Sequence, residues 1–330
     1  MKESTKSERK RPNRKILFTV LTVLVLMAAV TFATCYLVIK AEAYSRYMGI
    51  KNVSAERVSK ILRGAEMNAT SMFEEVSQNM DNSEAVIAAL RSKAALNNDV
   101  RGYFAAFEPN FFPDRGTWFE PYIYQPDYGG FEYRQVGSAR HNYTKSDWYV
   151  RAKSYGLSFW SDAYYYYDDT SMSGHYTTFV KPLFDRKGEL ACVCGADIKF
   201  EWLAKELQWV DEINKNSKTM NKYNLIADFD FYTIILNKDG ACLAHPEGKE
   251  LTLTDHEVLK NLTLKKTAVT DAEVDGVDCT IYYGPVEFID WSLAVVVPKH
   301  DIVKSMLPIG LALLLLVAVG MTIVWFVCKK

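Results

Sequence analysis

Two uncharged apolar runs bracket the chain, Ile16 to Ile39 and Met306 to Cys328. At about 1.5 Å per helical residue, each is long enough to cross a hydrocarbon core of ~30 Å. The first run is long for the apolar part of a signal peptide. No small-x-small site with a clean break follows it, so an uncleaved anchor is expected. Beyond it, Val58, Ile61, Ala65, Ala69, Met72, Val76 and Met80 recur three or four positions apart, with Lys60, Arg63, Glu66 and Glu75 between them. That spacing predicts a long amphipathic helix leaving the membrane. A second, short helix is expected in DNSEAVIAALRSKAAL, with Ser83 as its N-cap and Asn97–Asn98 at its end.

From Val100 the pattern changes. VRGYFAAFEPNFF, WFEPYIYQ and FEYRQVGS are rich in aromatics and broken by Pro and Gly, which predicts strands and loops. SDWYVRAKSYG predicts a short helix that Gly156 ends. YYYYDD, HYTTFVKPLFD and GELACVCGADIKF predict three strands of a meander, the last two joined by a turn at Asp185-Arg186-Lys187-Gly188. IKFEWLAKELQWVDEI returns to helix. A second block repeats the theme: a strand, a Lys238-Asp239-Gly240 turn and a strand; a helix in DHEVLKNL; a strand pair around Asp275-Gly276; and the apolar strand WSLAVVVP running into the second span. The fold class expected is α/β (α+β): a long N-terminal helix and two tandem modules with antiparallel sheets, flanked by two transmembrane helices. The expected boundaries are a basic tail at 1–15, a span at 16–39, a helical stalk at 40–98, a membrane-distal module at 99–215, a membrane-proximal module at 216–304, a span at 305–328 and a cytoplasmic end at 329–330.

Charge orients this arrangement. The first fifteen residues hold seven Lys or Arg against two Glu, and Lys329 and Lys330 follow the second span. Both ends are therefore expected in the cytoplasm, with the region between them periplasmic or extracellular, anchored in the inner (plasma) membrane. The formal net charge of the chain is −1, which argues against nucleic acid as a partner. Without the basic ends the outer region is mildly acidic. Its four cysteines, Cys192, Cys194, Cys242 and Cys279, do not make a dense disulfide framework. Cys192 and Cys194 share one strand face and are read as buried thiols, while a Cys242–Cys279 bridge stays open.

Candidate chemistry is sparse. No phosphate loop, dinucleotide fingerprint or nucleophile elbow occurs, and the five histidines make no metal spacing, so His141, His175, His245, His256 and His300 are read as surface or structural. No cofactor or metal is expected, and no catalytic domain. The run WSDAYYYYDD is the exception to this plainness. On a strand, Tyr164 and Tyr166 share one face and Tyr165 and Tyr167 the other. Tyrosine offers apolar area, a π face and a polar tip, which suits both a core and a ligand pocket.

Taken together, these segments resemble the double Cache (dCache) family of bacterial extracytoplasmic sensors, built from two PAS-like modules. The resemblance rests on DWYVRAKSYGLSFWSDAYYYYD, HYTTFVKPLFDRKGELACVCGADIKFEWL, IILNKDGACLAHP and DWSLAVVVP. YFAAFEPNFFPDRGTWFEPYIY further resembles sensor heads of membrane phosphatases and histidine kinases. The resemblance implies a sensor that takes a small-molecule ligand, an amino acid or another organic molecule, in its distal module. It implies transmission across the membrane, in a homodimer, to a cytoplasmic or membrane signalling partner. Carried over residue by residue, it implies ligand contacts from Trp148, Tyr149, Tyr164 and Asp197. Two positions depart from the family pattern: Ser146 stands where an Arg is expected, and Tyr166 where an Asp is expected. Tyr166 itself, and Asp168 as the displaced carboxylate, complete the candidate set. Lys145 or Arg140 are candidates for the missing cation. These departures also fit an alternative, a membrane-anchored binding or scaffold protein with a degenerate Cache pair that acts through a protein partner. With only two residues after the second span, an effector is expected either in a longer protein or in a partner.

Overall fold

The computed structural model describes residues 14–167, 172–216 and 230–329. Helix α1 runs unbroken from Arg14 to Gln78, so the first apolar span and the stalk are one rod. Two helices, α1 and the last one, are long and apolar enough to cross a membrane. In the stalk the buried positions Val58, Ile61, Leu62, Ala65, Ala69, Met72, Phe73 and Val76 form the stripe that the helical period predicts. Helix α2 (Ser83–Ala94) folds back against it. Its N-cap is Asn82, not Ser83: the Asn82 side chain accepts hydrogen bonds from Glu84 N and Ala85 N at 2.9 and 3.1 Å.

The distal module is an antiparallel sheet of β1 (Gly102–Phe107), β2 (Pro121–Tyr124), β3 (Glu132–Gln135), β4 (Phe159–Trp160), β5 (Tyr164–Tyr166), β6 (Gly174–Phe184) and β7 (Leu190–Lys199). Its order is β3-β2-β1-β7-β6-β4, with β5 pairing the other end of the same β6 edge. Strand alternation gives the sheet two different faces. Tyr103, Ala105, Phe107, Ile123, Cys192, Cys194, Ala196 and Ile198 pack in one core with α1 and α2. Phe104, Ala106, Tyr122, Val180 and Val193 point the other way, beneath α3 (Asp147–Tyr155). Gly156, in the left-handed conformation at φ 65°, ends that helix. Between β6 and β7, Asp185 Oδ1 accepts from Lys187 N and Glu189 N at 2.8 and 2.9 Å, which fixes the turn.

Helix α4 (Phe200–Asn216) continues from β7 without a break. It leads to the second sheet: β8 (Tyr232–Asn237), β9 (Cys242–Ala244), β10 (Ala268–Val274), β11 (Val277–Pro285) and β12 (Trp291–Pro298), in the order β10-β11-β12-β8-β9. Helix α5 (His256–Thr263) covers one face. Asp275 and Gly276, both at positive φ, make the tight turn between β10 and β11. Helix α6 (Lys299–Lys329) begins at the residue after β12, so the last strand is joined directly to the second span.

The cysteines outside the spans are free thiols. Cys192 and Cys194 lie buried with their sulfurs 3.8 Å apart, and burial pushes the Cys192 thiol up, which keeps it neutral. Cys242 and Cys279 do not pair. They sit on β9 and β11, with β8 and β12 between them, and three strand spacings of about 4.8 Å exceed the reach of a disulfide.

Candidate ligand-binding site

On the face of the distal sheet away from the stalk lies a cavity of about 680 Å³, within the ~300–1,000 Å³ range of small-molecule sites. Its floor is set by strand register. Gly102 pairs with both Tyr124 and Asp197, and Phe104 pairs with Tyr122 and Gly195. Tyr122 and Asp197 thus come from strands on either side of β1 and meet across it. The crossing needs Gly102: a Cβ there would stand 2.1 Å from the Tyr122 hydroxyl oxygen. Gly195 likewise leaves room for the Phe104 ring, which a Cβ would approach to 2.2 Å.

Asp197 is the polar centre of the cavity. It is 5% exposed, and three hydroxyls from three strands donate to it. Tyr122 reaches Oδ2 at 2.8 Å, while Thr178 and Tyr164 reach Oδ1 at 2.6 and 3.4 Å. Burial pushes the Asp197 carboxyl up to about 6, against the pull of these three hydrogen bonds. It therefore ionises near neutrality. Nor is it a helix cap: it lies in mid-strand with its side chain turned to the cavity.

A second carboxyl lines the same space. Glu120 sits just before Pro121, which favours an extended backbone at that position. Its Oε2 is buried and accepts no hydrogen bond. His141 Nε2 stands 3.5 Å from it. Burial, then the charge of Asp197, raises Glu120 well above the usual carboxylate range, and burial lowers His141. Both shifts favour the uncharged forms, the protonated acid and the neutral imidazole.

Aromatic rings form the walls. Trp148, at the start of α3, packs at a tilt against Phe104, 4.9 Å between centroids, and borders the cavity. Tyr164 and Tyr166 are half-buried on the cavity side of β5. Tyr164 also meets Thr178 Oγ1 at 2.8 Å, and the Tyr166 ring lies edge-on to His141 at 5.6 Å. Tyr165 and Tyr167 line the cavity too, but at 57% and 66% exposure they mark its solvent-facing mouth. At that mouth Arg151 bridges Asp147 and Asp162, at 3.5 and 3.1 Å, pinning α3 to the segment before β5.

Several candidates from the sequence sit elsewhere. Tyr149 is buried outside the cavity: its hydroxyl donates to Glu108 Oε1 at 2.7 Å, and its ring packs on Tyr143. Successive helical residues point about 100° apart, so Trp148 and Tyr149 cannot both face one pocket. Lys145 and Arg140 are exposed and do not border the cavity, so neither supplies a cation there. Asp168 lies outside the described residues. His141, read from sequence as surface or structural, is instead a lining residue. Glu120, Tyr122, Phe104, Thr178 and Tyr176 carried no local sequence signal, because β1, β2, β6 and β7 converge only through pairing. Among the described residues, no Lys or Arg lines the cavity.

Comparisons with known proteins bear on the fold that carries this cavity. Residues 86–205 match the family model described as "Methyl-accepting chemotaxis protein-like, first PDC sensor domain". No curated protein matches the chain in sequence. The periplasmic sensory domain of the Campylobacter jejuni chemoreceptor Tlp1 superposes with a TM-score of 0.64 at 17% identity, covering 81% of this chain and 98% of that one. The extracellular domain of a protein described as a histidine kinase, soHK1S-Z6, gives 0.61 at 22% identity over 82% and 99% of the two chains. The ligand-binding domain of Mlp24, solved with asparagine, gives 0.54 at 16% identity over 82% and 98%.

Proposed function

We infer that the region between the two spans is a sensor of the double Cache, or tandem PDC, type, as its fold and the family match over residues 86–205 support. We propose that this protein is a membrane-anchored receptor whose distal module, residues 99–215, binds a small organic cation and passes a conformational signal through the membrane. The observation that carries this reading is Asp197, a buried carboxyl held open to a 680 Å³ cavity by three hydroxyl donors and ringed by aromatic faces. A carboxylate with aromatic walls suits an ammonium group. The Mlp24 domain holds asparagine, which carries both an ammonium and a carboxylate. Here the described lining has acceptors for the first and no Lys or Arg for the second. The ligand class is therefore an amine without an α-carboxylate.

The route outward follows the chain. Asp197 lies three residues before α4, whose first residue, Phe200, packs on Trp291 at 5.1 Å between centroids. Trp291 opens β12, and β12 runs directly into α6. A shift of β7 on ligand binding has a continuous packed path to the second span, with residues 216–304 as the relay. In this reading the sensor region is periplasmic or extracellular, both termini are cytoplasmic, and the protein signals as a homodimer to a cytoplasmic or membrane partner. The exposed stalk residues Val53 and Met67 support pairing along α1.

The test is a thermal-shift screen of the full chain in lipid nanodiscs against pooled alkylamines, amino acids and carboxylates. Alkylamines are expected to raise the midpoint, by about 2.7 kcal/mol of stabilisation at a hundredfold excess over Kd. Shifts from carboxylates or neutral solutes alone would sink the cation reading.

A further inference from the structure

The part of the cavity that the ammonium site leaves unused is the Glu120–His141 corner. Glu120 is 4% exposed, it borders the cavity, and its Oε2 accepts no hydrogen bond. A buried carboxyl oxygen that accepts no hydrogen bond is costly, so its retention needs a reason beyond packing. Its backbone is held on both sides: Glu120 N donates to Gln135 Oε1 at 3.3 Å, and Val136 N donates to Glu120 O at 3.1 Å. The loop behind it is packed tight. A Cβ at Gly137 would come within 2.9 Å of Glu120 Cβ and 2.7 Å of Tyr143 Cε1. The side chain is therefore hemmed in on the loop side, and it borders the cavity on the other.

Its position relative to Asp197 follows from register. Asp197 is level with Gly102, and Tyr122 with Phe104. Glu120 precedes Tyr122 by two residues on the same face, so it lies two strands across from Asp197 and about four residues, or ~13 Å, along the sheet. The two acids stand at different ends of one space, with Trp148, Tyr164 and Tyr166 between and around them.

We propose that Glu120, with His141 beside it, is a second anchoring point of the distal cavity, and that the ligand is a dibasic amine whose two nitrogens are held at Asp197 and at Glu120. The proposal rests on the cation reading given above and narrows it. The titratable groups facing Glu120 are His141 from the loop before α3, Tyr143, Tyr164 from β5 and Asp197 from β7. None is a fixed cation, so nothing among them competes with an arriving ammonium. Burial and the charge of Asp197 favour the protonated form of this acid. A second ammonium makes it ionise, its proton leaving to water.

The experiment is calorimetric titration of the full chain in lipid nanodiscs with putrescine and cadaverine, against butylamine and pentylamine and with L-norleucine as the amino-acid control. The better diamine is expected to bind at least ~10-fold tighter than its matched monoamine, as one added charge-assisted hydrogen bond implies. In Glu120→Gln the ratio of diamine to monoamine affinity is expected to fall toward one. Equal affinities in the unaltered protein would overturn the second anchor while leaving the cation reading intact, and that comparison needs no variant. A ratio unchanged in a folded Glu120→Gln protein would also overturn it. If no amine binds and norleucine does, both readings fall together.

Discussion

The two modules share a scheme, an antiparallel sheet with one face against helices on the stalk side and the other under a short helix, but they fill it differently. Under α3, the distal sheet and the residue leading into β2 offer Asp197, Glu120 and a ring of aromatics around open space. Under α5, the proximal sheet offers Ile234, Leu236, Ile281, Tyr283 and Val296, closed against Val258 and Leu262. Burial also pushes two aspartates up to about 6: Asp197 in the distal sheet, and Asp211 on α4 where that helix meets the proximal sheet. Asp211 faces no cavity. It accepts from Thr233 N and Oγ1 at 2.7 and 2.6 Å and ties α4 to β8. The same group, shifted in the same direction, is a clamp where α4 meets β8 and an acceptor lining the cavity in the distal sheet. What separates them is whether the remaining carboxylate lone pairs meet backbone or empty volume.

This contrast is breakable by substitution. The largest effect is expected at Asp197: Asp197→Asn should weaken amine binding at least ~100-fold, since it removes the charge that a buried ammonium needs. Asp211→Asn should leave amine affinity within ~3-fold, and calorimetry on both variants makes the comparison. Stability should show the reverse order. Leu236→Ala, in the closed proximal core, should cost about 2–5 kcal/mol of unfolding free energy in denaturant titrations. Trp148→Leu borders existing space and should cost less stability while weakening binding by ~10-fold or more.

Next in size is a pH effect with opposite signs for binding and folding. Asp197 is raised from 3.8 to about 6 in the folded protein. The folded state therefore holds its proton more tightly than the unfolded chain. The resulting stabilisation is complete below the unfolded value and is lost as pH rises through about 6, amounting to roughly 2–3 kcal/mol. Amine binding needs the ionised form, so affinity should fall about tenfold per pH unit below 6. In Asp197→Asn both slopes should shrink. The Asp211 contribution to stability should remain, because it has the same sign.

Smaller effects sharpen the picture. Gly102→Ala should push the Tyr122 ring off Asp197 and weaken amine binding by roughly tenfold, the worth of one hydrogen bond to a charged group. Arg151→Ala, at the solvent-facing clasp, should change unfolding free energy by no more than about 1 kcal/mol, as exposed ion pairs do.

Much of the architecture was legible because it rests on periodicity. The three-to-four spacing from Val58 to Val76 is the stalk stripe, and the apolar strand WSLAVVVP is β12. The alternation of the tyrosine run put Tyr164 and Tyr166 on one face of β5. The site was only partly legible. The family resemblance implies Tyr149 beside Trp148 as a ligand contact, but neighbours on a helix diverge, and Tyr149 packs on Tyr143 instead. Tyr122 and Asp197 are far apart in sequence and meet only because β1 lies between their strands and carries a glycine at the crossing. Glu120 and His141 gave no motif, since their meaning comes from burial beside open space. Ser146 was recognised as the place where a guanidinium is missing. The structure adds that, among the described residues, no other Lys or Arg replaces it at the cavity.

The central claim is that the distal cavity takes an organic cation at Asp197. The direct measurement is calorimetric titration of butylamine and of L-norleucine into the full chain in nanodiscs, with and without Asp197→Asn. The account predicts saturable amine binding that disappears in the variant, and a weaker response to norleucine. Norleucine binding tighter than butylamine, or amine binding that survives the loss of the Asp197 charge, would contradict it.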